Sequence, residues 1–260
     1  MKIFKLCLMA APLITTLYAF SQDAVLEELV VTAQKRESTL MDTSAALVAV
    51  SGEDLDQAGV NAIDDIALLT PDVQVSGEGK ARMGVRIRGV GTYGFDIAVD
   101  PSVAMVVDGV TQPRVSTFMN GLDDIERLEI LKGPQGALYG TNALGGIINI
   151  VTKKPIGGES GSYSIATGNN DDSDISLSLE TDLSDSTSVR ISLARGYDAG
   201  LAYEEITGRD DGVEYTFGRV ALYGTYDNGT EWSSSFSHSK DNQYAAVSEQ
   251  DFLCNSTNAA

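Results

Sequence analysis

The sequence predicts a mixed α/β region over residues 23–155, followed from residue 156 to Ala260 by antiparallel strands too few to close a barrel. Three observations carry that expectation. Helix-capping signals and short β-rich runs alternate with glycine-rich connections in the first region. Strict period-two alternation of apolar and polar residues takes over in the second. The composition shifts at the same point: residues 156–260 hold eighteen acidic against five basic residues, and eleven of the aromatic side chains. With 43% hydrophobic and 21% charged residues the chain is too apolar for a disordered one.

The first region is read element by element. Ser51 and Asp54 are spaced as a capping box that opens a short helix, and Gly59 closes it. Asn61 with Asp64 caps a second helix over residues 62–69, ended by Pro71, with Ile63, Ile66, Ala67 and Leu69 on its apolar face. Strands are predicted at residues 73–75, 85–88, 103–107, 127–131 and 147–152, and Asp108-Gly109 is a turn signal. Arg86 and Arg88 alternate with Val85 and Ile87, which puts both guanidiniums on one strand face. Glu126 and Glu129 are three residues apart and fall on opposite faces of an ideal strand. The five glycines from Gly133 to Gly146 permit close backbone approach, either in ordinary turns or in a segment that packs tightly and rearranges.

In the second region Ile175, Leu177 and Leu179 face away from Ser176, Ser178 and Glu180. Val189, Ile191 and Leu193 alternate with Arg190, Ser192 and Ala194, and Val220 and Leu222 oppose Arg219 and Tyr223. Strands are expected at 161–168, 174–182, 188–196, 214–226 and 230–239. The connections between them are unequal: 169–173, 183–187 and 227–229 are short, whereas 197–213 is long and acidic. Outer-membrane barrels have short periplasmic turns and longer external loops. If residue 160 starts at the periplasm, the long loop lies outside and the 227–229 turn inside, with Tyr226 and Trp232 flanking it at the height of an interfacial girdle. A soluble antiparallel sheet carries the same alternation. Five strands leave open edges that lipid does not tolerate, so a membrane barrel would need strands beyond Ala260.

The N-terminus reads as an export signal over residues 1–19: Lys2 and Lys5, a mostly apolar run from Leu6 to Leu17, then Ala19 at a cleavage point. Removal of that segment takes the formal charge from −19 to −21. So acidic a chain is repelled by nucleic-acid phosphates, and no nucleic-acid partner is expected. Cys254 is then the remaining cysteine and expects a partner elsewhere. No later stretch is long and apolar enough for a membrane-spanning helix. Gly89, Gly91 and Gly94 match a dinucleotide fingerprint, but the following Phe95 to Pro101 is a poor helix. His238 has no second histidine for a zinc site or a triad. The Asp171-Asp172 and Asp210-Asp211 pairs read as solvated loop charge, and the sequons at Asn228 and Asn255 as chance matches. No catalytic residue, metal site or covalent cofactor is expected.

Several segments, in order, resemble those of TonB-dependent outer-membrane receptors. Glu27-Glu28-Leu29-Val30-Val31-Thr32-Ala33 resembles the TonB box, with Glu28, Leu29, Val30, Val31, Thr32 and Ala33 as the coupling segment. Val85-Arg86-Ile87-Arg88-Gly89 resembles the central strand of the plug domain, and Val106-Val107-Asp108-Gly109-Val110 its hairpin. The most specific run is Ile125-Glu126-Arg127-Leu128-Glu129-Ile130-Leu131-Lys132-Gly133-Pro134-Gln135-Gly136-Ala137-Leu138-Tyr139-Gly140, continued by Ile147-Ile148-Asn149-Ile150-Val151-Thr152. The resemblance implies a signal peptide (1–19), a TonB box and linker (20–44), an α+β plug domain (45–155) and the first strands of an incomplete outer-membrane β-barrel (156–260).

It further implies an energy-coupled importer, not an enzyme, in the outer membrane of a Gram-negative bacterium. Its partners would be TonB, outer-membrane lipid and a small-molecule ligand, with the full-length receptor a monomer. The family's commonest cargo is a ferric siderophore; glycans, cobalamin and haem are the alternatives, as is a truncated, non-transporting interaction protein. Outer plug loops at 77–84, 91–101 and 112–120 nominate Arg82, Tyr93, Phe95 and Arg114 as ligand contacts, because aromatics and arginines suit catecholate or carboxylate chelators. Arg86, Arg88, Glu126 and Glu129 are expected to make charge contacts between plug and barrel wall, with a surface salt bridge within the plug as the other reading.

Overall fold

The computed structural model describes residues 30–32, 38–39, 46–60, 63–76, 83–92, 99–113, 124–168, 172–198, 203–204, 209–210 and 212–243. The first region is built on a mixed five-stranded sheet. Its strands are β3 (Ala46–Ser51), β7 (Val103–Val107), β8 (Val110–Gln112), β9 (Ile125–Lys132) and β10 (Gly146–Thr152), in the order β3-β9-β10-β7-β8. β10 runs parallel to β7 and antiparallel to β9. A short pair, β1 (Val30–Val31) and β2 (Ser38–Thr39), precedes it. A small antiparallel sheet of β4 (Val73–Ser76), β5 (Gly84–Ile87) and β6 (Val90–Gly91) packs beside it.

α1 (Gly52–Gln57) and the short helical turns at residues 63–69 cover one face of the large sheet. α1 starts as the capping pattern requires: the Ser51 hydroxyl accepts from the Asp54 N–H at 3.1 Å. The expected second helix is instead a 3-10 turn, Ile63–Asp65, followed by one α-turn, α2 (Ile66–Leu69). Asn61, named above as its cap, lies outside the described residues. Leu55, Ile63 and Ile66 join Ile87, Met105, Leu128, Ile130, Ile148 and Ile150 in the main core. The opposite face buries Ala104, Val106, Leu131, Ala143 and Ile147, partly covered by Tyr139 of α3 (Gly136–Tyr139).

Two hairpins use two-residue turns with both central residues at positive φ: Arg88-Gly89 (52° and 79°) and Asp108-Gly109 (48° and 81°). This is the turn whose twist matches paired strands, and glycine supplies its second position without strain. The first turn corrects an expectation. Arg88 belongs to the turn and not to the strand, which ends at Ile87, so it does not share a strand face with Arg86.

The second region is one antiparallel sheet of β11 (Ser160–Thr167), β12 (Ser173–Ser184), β13 (Thr187–Asp198), β16 (Val213–Thr225) and β17 (Glu231–Gln243), in that order. A two-residue ladder, β14 (Tyr203–Glu204) with β15 (Arg209–Asp210), sits within the long connection. Short turns join β12 to β13 and β16 to β17 at one end. At the second, the Gly229 N–H donates to the Tyr226 carbonyl, and the Tyr226 and Trp232 rings lie 6.4 Å apart. The cross-strand register stacks Ser178, Ser192 and Arg219 on one face and Leu179, Ile191 and Val220 on the other.

Candidate functional site

Two buried charge clusters organise the molecule. The first joins the two regions. Asp124, just ahead of β9, is 1% exposed. It accepts from Arg190 Nε of β13 at 2.7 Å and from Arg219 Nη1 of β16 at 2.6 Å. The register makes this possible, because Ser192 pairs with Arg219 and places the two arginines diagonally on one face of neighbouring strands. Glu180, opposite Arg190 on β12, accepts from Arg190 Nη1 at 3.2 Å and caps the chain between the regions by taking the Ile156 N–H at 2.7 Å. Arg219 also donates to the Thr152 hydroxyl and to the Lys153 carbonyl at 3.1 Å. Thr152 in turn donates through its N–H and hydroxyl to Asp108, at 2.9 and 2.7 Å. Two buried carboxylates thus meet a buried guanidinium, that of Arg219, and a largely covered one, that of Arg190, the pairing that buried charge requires.

The second cluster lies on the large sheet. Glu129 is fully buried and accepts from Arg127 Nε at 2.8 Å and Asn149 Nδ2 at 2.9 Å. It also accepts the Thr32 N–H at 2.9 Å. Arg127 Nη2 reaches the Thr32 hydroxyl at 3.2 Å, and Val31 beside it is 2% exposed. The short β1 segment is therefore seated on the sheet. Burial, and then the nearby Glu129 charge, push the Tyr139 hydroxyl above its ordinary pKa.

Among the described residues, each of the four expected to bridge plug and wall has a contact inside the first region. Arg86 donates to Ser76 Oγ at 3.3 Å, and Arg88 lies 3.9 Å from Asp72. Glu126 and Glu129 both pair with Arg127. Arg127 follows Glu126 directly and sits two residues before Glu129, so one guanidinium serves both carboxylates. Asp72 also accepts from Lys132 at 2.6 Å, and this hydrogen bond, with the lysine charge and then that of Arg88, holds its carboxyl below the ordinary 3.8. Among the described residues, Asp124 and Thr152 on one side and Glu180, Arg190 and Arg219 on the other join the two regions. Part of the signal for this junction was present: Glu180, Arg190 and Arg219 stand among Ser178, Ser188, Ser192 and Ala221 on one face of neighbouring strands. Glu28, Leu29, Ala33, Arg82, Tyr93, Phe95, Arg114, Cys254 and residues 1–19 lie outside the described residues.

A family model described as TonB-dependent Receptor Plug Domain matches residues 39–147. The chain belongs to the TonB-dependent receptors. It is 32% identical over 218 residues to the pesticin receptor of Yersinia pestis, a match covering 82% of this chain and 32% of that receptor. It is 29% identical over 225 residues to the iron-regulated outer membrane virulence protein of Vibrio cholerae, covering 78% and 31% of the two chains. The crystal structure of the ferric yersiniabactin uptake receptor FyuA from Yersinia pestis superimposes with a TM-score of 0.67 at 30% identity, covering 76% of this chain and 31% of FyuA. The chain spans about a third of the length of the curated relatives it matches. In receptor terms, the mixed sheet is the plug, and the β11–β17 sheet carries the wall residues to which Asp124 anchors it.

Proposed function

We propose that the receptor to which this chain belongs imports an iron–siderophore complex across the outer membrane of a Gram-negative bacterium, coupled to TonB through residues 28–33. The observation that carries this reading is the 30% likeness, over three quarters of the chain, to a ferric yersiniabactin uptake receptor. The geometry supports it. The plug is fixed to the polar face of the β11–β17 sheet by Asp124, Arg190 and Arg219, while the opposite face is apolar. The plug joins the sheet at the end that carries the short 184–187 turn, the periplasmic end in barrels of this kind.

The work is binding and gating. The outer plug loops, with Arg82, Tyr93, Phe95 and Arg114, would contact the chelate. Leu29, Val30, Val31 and Thr32 are β-formers in a segment flanked by polar residues, and such a segment can add as a strand to the edge of a partner's sheet. Val31→Pro removes one backbone donor from that strand. In outer membranes of cells making the receptor, with ferric siderophores offered in turn and ferric yersiniabactin first, Val31→Pro is expected to abolish uptake and leave the chelate's Kd unchanged. Retained uptake would refute the TonB-box assignment, and failure of the parent receptor to bind any ferric siderophore would refute the cargo.

A further inference from the structure

We infer that Glu129 is the residue that holds the coupling segment parked against the plug, in a clasp that opens without stranding a buried charge. The inference rests on reading residues 28–33 as the TonB box. Glu129 sits on β9, flanked on both sides by β3 and β10, with no exposure of its own. Its oxygens divide their work. Oε2 takes Asn149, the residue directly opposite on β10, at 2.9 Å. Oε1 takes Arg127 Nε at 2.8 Å together with the Thr32 N–H at 2.9 Å and the Thr32 hydroxyl at 3.4 Å.

The donors therefore fall into two sets. Arg127 and Asn149 belong to the sheet and stay wherever the segment goes. Thr32 comes from 97 residues away and can leave. When it leaves, Glu129 keeps a guanidinium and an amide, so its charge remains compensated, and the Thr32 N–H gains water. A carboxylate held by Thr32 alone would be left unpaired in the sheet, at a cost that would make release rare. A segment held only by the buried Val31 side chain would have no fixed register, because apolar contact is not directional. The carboxylate fixes which residue docks, and the sheet's own donors keep the undocked state accessible. Glu129 is thus a positioning residue for the segment.

The test uses the receptor in outer membranes, with Val31→Cys as a reporter in a background otherwise free of thiols. Val31 is buried, so maleimide labelling of the cysteine reads how often the segment undocks. Glu129→Ala is expected to speed labelling about tenfold, the factor implied by losing one charge-assisted hydrogen bond. Glu129→Gln keeps an Oε1 acceptor and is expected to stay close to the parent rate. Thr32→Pro removes the donor without touching the plug sheet and is expected to match Glu129→Ala, which keeps the test decisive if the alanine variant misfolds. Capture by a soluble periplasmic domain of TonB, measured without the reporter cysteine, is expected to rise in Glu129→Ala. Parental labelling rates in both Glu129→Ala and Thr32→Pro would overturn the clasp. Faster labelling in both, with no TonB capture by any form, would overturn the TonB-box reading and with it the coupling role, while leaving the contact itself in place.

Discussion

Asp124 answers two guanidiniums with one carboxylate, and its surroundings decide how much that matters. Arg195 and Glu214 form a pair at 2.5 Å, yet their side chains are 68% and 39% exposed. A pair so wet contributes between nothing and about 1 kcal/mol. The Asp124 side chain is 2% exposed and that of Arg219 6%. Removing one partner there leaves charge buried without its counterion, which costs roughly 3–5 kcal/mol. Asp124→Ala leaves Arg190 with Glu180 and leaves Arg219 with neutral acceptors and a distant Asp108. We expect the plug to become protease-sensitive at a urea concentration well below that of the parent receptor. Asp124→Asn, whose amide oxygen still accepts one of the two donors, should fall between them. A parental profile for Asp124→Ala would mean that the clasp, the chain between the regions and plug contacts elsewhere hold the plug without this anchor.

At the scale of elements, α1 shows that a six-residue helix stands on its cap and its docking, since so short a helix is unstable alone. Ser51 supplies the cap, Leu55 is 1% exposed in the core, and Gly52 brings the helix backbone onto β9. A Cβ built on Gly52 would lie 2.0 Å from the Ile125 carbonyl oxygen. Gly52→Ala must therefore push the helix off the sheet, and an overpacking cost of roughly 1–3 kcal/mol is expected. Ser51→Ala removes only the cap, for about 1 kcal/mol. Thermal unfolding should rank Gly52→Ala at least as damaging as Ser51→Ala; the reverse order would show that the helix shifts freely. The cap was legible because Ser51 and Asp54 are local signals. The wall strands were legible because each has one apolar and one polar face, and their ends fall within a few residues of expectation. Ala46–Ser51 was not, because an edge strand with apolar residues at successive positions shows no period of two. The clasp was hidden for another reason: Thr32 and Glu129 meet across 97 residues, and no local spacing encodes that contact.

At the scale of the whole molecule, the wall sheet presents two incompatible surfaces. On one face Tyr163, Leu177 and Leu193 stand side by side across three strands, as do Ile191, Val220 and Phe236, all at least 40% exposed. On the other, Ser178, Ser192, Arg219 and Ser237 form a continuous row, in which Ser178, Ser192 and Arg219 are buried. In water the first face would be a liability; against lipid it is what a barrel exterior requires. The strands of 12 and 13 residues are long enough to cross a bilayer at a tilt. Charge should therefore be tolerated on one face and not the other. Leu177 is central on β12 and faces outward, so Leu177→Arg should cost about 2–4 kcal/mol near the bilayer midplane. Ser237→Arg adds the same side chain to the inward polar row, on the face away from lipid. Urea unfolding of the receptor from lipid bilayers should separate the two, with only Leu177→Arg shifting the midpoint strongly downward. Equal shifts would mean that the apolar face meets protein or water instead of lipid, and that this sheet is not membrane wall.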